Sequence, residues 1–104
     1  MPERTSLESL TETPHAVAFE NDPRTVRLEL EAEQRVPEHR HPESTVLFHV
    51  LSGDVALDLD GETYDLESGD LVRFDGDRTV SPYALEESTA LVVLTPKPEP
   101  STCD

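Results

Sequence analysis

The feature that most constrains the fold of this chain is a strict alternation between apolar and polar side chains. It is clearest in residues 25–31, where Val26, Leu28 and Leu30 share one face and charged or hydroxyl side chains occupy the other. Successive side chains of a β-strand point to opposite faces, so this pattern predicts a strand with one buried face. The segment is therefore expected to lie in a sheet that covers a core on one side.

Further short segments with strand character follow at close spacing and are separated by turn residues. The Asp60-Gly61 pair is typical of a two-residue β-hairpin. Residues 45–51 are apolar almost throughout, which predicts a strand buried on both faces. Seven or eight short strands and no convincing helix predict an all-β fold, a single small antiparallel β-barrel or jelly roll. The other predicted strands cover residues 15–19, 55–59, 63–66, 71–74, 79–85 and 89–94.

The length of 104 residues suits one domain, and the two ends differ in composition from the middle. Residues 1–14 are polar, with room for one helical turn over residues 6–10, and are expected to form a flexible arm. Residues 15–95 are expected to form the barrel. Residues 96–104 alternate prolines with other residues and predict a disordered tail. With one cysteine, no apolar run of 18 residues and no apolar N-terminal core, we expect a cytoplasmic protein without disulfides.

The charge balance narrows the range of partners. The chain has 23 acidic residues against 8 basic ones, a formal net charge of -15. Nucleic acids and anionic membranes are bound by clusters of lysine and arginine, so neither is an expected partner. The preference for arginine over lysine and the absence of isoleucine resemble proteins of halophilic archaea. That resemblance implies a salt-rich cytoplasm, where screening weakens the self-repulsion of the chain.

Two segments resemble the sequence signatures of the cupin superfamily. Residues 36–53 contain His39 and His41 one residue apart and end at Gly53, and residues 69–74 resemble the start of the second signature. The resemblance covers residues 25–94 and implies a small β-barrel whose usual members hold a metal ion with four side chains. On a strand the two imidazoles would point to the same side, where they suit a divalent transition metal.

The sequence departs from the family pattern at both remaining ligand positions. The spacing from His41 and Gly53 places the family glutamate at Val46, and the spacing from Gly69 places the last histidine at Val80. Alkyl side chains cannot bind a metal, so the resemblance implies a degenerate metal site. We expect a largely apolar pocket there, lined by Val46, Phe48, Val50 and Val80.

Several functions stay open at this point. The favoured hypothesis is a binding protein that holds a small molecule or acts as a dimeric scaffold, with homodimers formed through an edge strand. The alternative is a metal-dependent oxygenase, isomerase or decarboxylase that uses His39 and His41 with help from Glu43. A sensory domain is a third class. His39 and His41 are also explained as barrel residues bonded to neighbours or water, and His15 carries no functional signal.

Overall fold

The computed structural model describes residues 5–20 and 23–96, and eight strands form within these ranges. A single-turn 3-10 helix, Leu7–Ser9, precedes them, and no described helix is long and apolar enough to cross a membrane. The strands are β1 (His15–Phe19), β2 (Arg24–Leu30), β3 (Ser44–Ser52), β4 (Asp54–Leu59), β5 (Glu62–Glu67), β6 (Leu71–Asp75), β7 (Val80–Ala84) and β8 (Ser88–Pro96).

The strands form two antiparallel sheets that share one core. The larger sheet has the order β1-β2-β8-β3-β6, and the smaller has the order β5-β4-β7. Leu30 and Phe48 of the larger sheet and Val55 and Leu57 of the smaller one are each at most 2% exposed and belong to the same apolar cluster. The predicted all-β jelly-roll fold is confirmed.

The predicted hairpin lies between β4 and β5. Asp60 and Gly61 both have positive φ angles, 51° and 87°, as a two-residue turn of this type requires. Asp60 also fixes the neighbouring turn, because its carboxylate accepts hydrogen bonds from the Thr79 N–H at 2.8 Å and the Arg78 Nε at 3.0 Å. These bonds lower the pKa of Asp60, with the backbone bond from Thr79 as the largest cause.

The prediction that β3 is buried on both faces is wrong. Val46, Phe48 and Val50 are buried in the core, whereas the alternate residues Leu47 and His49 are half-buried on the outer face of the larger sheet. The strand lies between β8 and β6, so both of its edges are paired. Its outer face stays in contact with solvent. The long apolar run therefore contributes to the core on one face and to the outer surface of the sheet on the other.

The N-terminal segment is held against the larger sheet by Arg27. Its side chain is only 7% exposed, and its guanidinium donates to the carbonyls of Leu7, Leu10 and Glu12, at 3.4, 3.3 and 2.8 Å. Residues 1–4 of the predicted arm and residues 97–104 of the predicted tail lie outside the described residues, while Pro96 ends β8. The flexibility of the arm and the disorder of the tail stay predictions.

Candidate functional site

A cavity of about 440 Å³ opens between the two sheets. Apolar side chains make up most of its wall, and they come from strands far apart in sequence: Val26 of β2, Val46 and Phe48 of β3, Val80 of β7 and Val92 of β8. Five polar residues complete the lining. Each of them is exposed or half-buried and so lies toward solvent, at the open end of the cavity. These residues are His15, Arg24, Glu38, His39 and His41.

The structure places three of the four predicted pocket residues on this cavity. Val46, Phe48 and Val80 line it and are 2%, 2% and 4% exposed. Val50 does not line it, which corrects the prediction. Val50 lies farther along β3, where its backbone bonds to Asp70 and Gly69 close that end of the barrel and its side chain is fully buried.

His39 and His41 lie on an irregular segment between β2 and β3, which corrects the expectation that a strand carries them. His39 forms an isolated antiparallel bridge with Val80, with N–H···O distances of 3.1 and 2.9 Å. The His41 N–H donates to the Gly76 carbonyl at 2.8 Å. The two rings still meet, with centroids 4.9 Å apart and planes 82° apart.

Gly76 is required for the position of His41. The Gly76 N–H donates to the Ser44 carbonyl at 2.9 Å while its own carbonyl accepts from His41. A Cβ atom at this position would lie 2.6 Å from the Ser44 carbonyl oxygen and would overlap the carbonyl oxygen of His41. Only a residue without a side chain allows this close approach of two backbone segments.

The described residues do not fit the four-ligand metal site that the family pattern implies. Two imidazoles face a wall in which Val46 and Val80 occupy the other ligand positions. Glu43, predicted as an assisting ligand, follows Pro42 in a turn and does not line the cavity; it lines a neighbouring groove that shares Arg24 and His41 with it. Within residues 5–20 and 23–96, no three histidine, cysteine, aspartate or glutamate side chains are grouped to hold a metal ion.

Two residues at the opening were missed from the sequence. His15 is aligned with Leu28 in the β1–β2 pair, and Arg24 is aligned with Leu94 in the β2–β8 pair. Both therefore lie on the inward face of their strands and line the cavity. The alternation of His15 with Val17 is a signal that could have placed His15 there, once β1 and β2 are joined as a hairpin.

The histidines at the opening influence one another electrostatically. Burial lowers the pKa of His15, and the nearby His39 lowers it further. Burial is also the largest cause of the lowered pKa of His41, followed by His39 and Arg24. The ring of His39 is oriented by its Nδ1, which lies 2.9 Å from the Pro37 carbonyl. Because a carbonyl only accepts, this hydrogen bond requires the proton on Nδ1 and leaves Nε2 as an acceptor in the neutral ring.

The sequence from residue 26 to residue 95, more than half of the chain, matches the cupin domain family. The chain is a cupin. This cupin is similar in structure to KdgF from Halomonas sp., with a TM-score of 0.72, 18% identity and coverage of 82% of this chain and 79% of that one. For a cupin protein from Bacteroides fragilis the TM-score is 0.79, at 18% identity, with 98% and 90% coverage.

A third similar structure is an RmlC-like cupin from Shewanella frigidimarina, with a TM-score of 0.78, 13% identity and coverage of 95% of each chain. At these sequence identities, the structural similarity shows a shared fold and nothing about function. Among curated proteins, no sequence matches significantly. The activity of the cupin therefore has to be inferred from its own cavity.

Proposed function

We propose that this cupin binds a small molecule in the cavity between its sheets. The observation that carries the proposal is the wall itself: Val46 and Val80 face the cavity where the family pattern has metal ligands. A volume of about 440 Å³ is typical of ligand pockets, which are mostly apolar with a few polar groups that orient the ligand. The polar groups at the opening match that description.

The experiment uses N-phenyl-1-naphthylamine, a neutral apolar dye that fluoresces when it leaves water. We expect saturable binding to the purified protein. Val92→Phe adds bulk inside the cavity and should weaken binding by about tenfold or more. The control is Thr63→Phe, because Thr63 is exposed on β5 and does not line the cavity. Dye binding that is absent, or equal in the two variants, overturns the proposal.

A metal-dependent enzyme is the alternative, and the contact between the rings of His39 and His41 favours it. Metal analysis and calorimetric titration with zinc, manganese and nickel ions discriminate the two functions. We expect the binding protein to hold no stoichiometric metal. One metal ion per chain, lost in His39→Ala together with an activity, would establish the enzyme in its place.

We also propose that two copies of this cupin associate through the outer face of the larger sheet, rather than only through a strand edge. The outward residues of β3 and β8 include Leu47, His49, Leu51, Leu91 and Val93, all half-buried. None of the outward positions in residues 45–51 and 89–95 is acidic, although the chain has 23 acidic residues. Two copies that meet at these two strands bring no carboxylates of β3 or β8 together at those positions, which limits their mutual repulsion.

Light scattering in molar salt tests the association. Leu47→Asp places a charge at the centre of the face and should convert dimers to monomers. Thr63→Asp adds the same charge at an exposed position of β5 and should leave the dimer intact. A wild-type protein that is monomeric throughout, or a Leu47→Asp variant that stays dimeric, contradicts the proposed interface.

A further inference from the structure

The cavity opening is far less acidic than the chain as a whole. The chain carries a net charge of -15, yet the polar lining of the cavity consists of one arginine, three histidines and a single carboxylate, Glu38. A ligand at the opening therefore meets a local field that differs from the field of the surface around it. This local field selects among ligand classes.

Arg24 is the permanent positive charge of the opening. It is exposed, and it lines both the cavity and the neighbouring groove, in which Glu20 and Glu43 also lie. Among the described residues it forms no hydrogen bond or ion pair, in contrast to Arg27 and Arg78, whose guanidinium groups are engaged by carbonyl or carboxylate oxygens. No described residue therefore occupies its five N–H donors, which can bind a ligand at the opening.

The arrangement around Arg24 connects this charge to the apolar wall. Arg24 is aligned with Leu94, and the next inward residue of β2 is Val26, which lines the cavity. The charge of Arg24 also reaches His41, since it follows burial and His39 among the causes that lower the pKa of that ring. A ligand held in the cavity can therefore contact apolar side chains at one end and the guanidinium at the other.

We infer that the ligand is an amphipathic monoanion of the carboxylate class, with its apolar body against Val46 and Phe48 and its head group at Arg24. This inference rests on the proposed binding function and specifies its ligand. A guanidinium matches a carboxylate with two parallel hydrogen bonds, and such charge-assisted bonds are stronger than neutral ones. A cation of the same length would place its head group beside the Arg24 guanidinium, which repels it, although the surface as a whole attracts cations.

Three compounds of equal chain length separate these possibilities: octanoate, 1-octanol and octylammonium. Each is titrated against the bound N-phenyl-1-naphthylamine at neutral pH in 1 M KCl, where a Debye length of about 3 Å screens the net charge of the chain but not a direct contact with Arg24. We expect octanoate to displace the dye at a concentration about tenfold lower than 1-octanol, with octylammonium the weakest.

Arg24→Gln is the decisive variant. It should weaken octanoate by about tenfold and leave 1-octanol unchanged, because it removes the charge and keeps a polar side chain. Arg73→Gln is the control, since Arg73 is exposed on the outer face of β6 and does not line the cavity. Equal affinity for octanoate and 1-octanol, or an equal loss for both in Arg24→Gln, overturns the inference while the binding function stands. A failure of the dye itself to bind overturns the binding function.

Discussion

Gly76→Ala should destabilise the protein strongly, although Gly76 does not have the left-handed backbone conformation that usually demands glycine. The added Cβ meets the backbone carbonyl oxygens of His41 and Ser44, so the two segments must separate. Overpacking of this kind costs about 1–3 kcal/mol. Weakening the two backbone hydrogen bonds of Gly76 adds about 1 kcal/mol. We expect a total loss of about 2–4 kcal/mol in the free energy of unfolding.

Gly61→Ala is the matched control, because Gly61 has a φ of 87° and no atom within 4 Å of an added Cβ. It introduces backbone strain without a clash, and we expect a loss of about 1 kcal/mol. Urea unfolding in molar salt measures both variants. With a slope of about 1.5 kcal/mol per molar urea, the midpoint should fall by about 2 M for Gly76→Ala and by less than about 1 M for Gly61→Ala.

Gly76→Ala should also weaken dye binding in the folded protein, since His41 lines the cavity, and Gly61→Ala should not. A Gly76→Ala variant that is as stable as wild type would refute this argument. So would a loss smaller than that of Gly61→Ala.

Three further predictions concern the whole domain. Raising KCl from 0.1 to 1 M should raise the melting temperature, because screening relieves the repulsion of a chain with net charge -15. A melting temperature that does not change with salt contradicts this prediction. His15 and His41 have lowered pKa values in the folded state, so their contribution to stability should be fully present above pH 6.5 and should be lost as the pH falls below it. Urea unfolding measures this, and the double variant His15→Gln, His41→Gln should show a weaker dependence of stability on pH. Arg27→Met should cost about 2 kcal/mol and speed amide exchange at Leu10, since it removes the donor that holds the N-terminal segment; unchanged exchange would show that other contacts hold that segment.

The strands were predictable from sequence because each is a local pattern. The alternation in β2 and β4 and the Asp60-Gly61 turn depend only on neighbouring residues, and the structure confirms each of them. Val46 and Val80 could also be placed, since the resemblance to cupins fixes their spacing from glycines nearby in sequence. Local spacing in the sequence therefore predicted two residues of the cavity wall.

The opening of the cavity could not be predicted in the same way. His15 and Arg24 reach it only because β1 pairs with β2 and β2 pairs with β8, and no local pattern specifies which strands become neighbours. Gly76 and His41 illustrate the same limit, since their contact joins an irregular segment to a turn beyond β6. Burial of Arg27 depends likewise on where the N-terminal segment crosses the sheet.

The position of β8 has a consequence for synthesis of the chain. Of the eight described strands, β8 is the last to leave the ribosome, yet it lies in the middle of the larger sheet, between β2 and β3. Until it arrives, both of those strands have an unpaired edge that can pair with another chain. A chain that stops before Ser88 would leave these edges open, so we expect such fragments to aggregate or be degraded rather than persist as partly active domains.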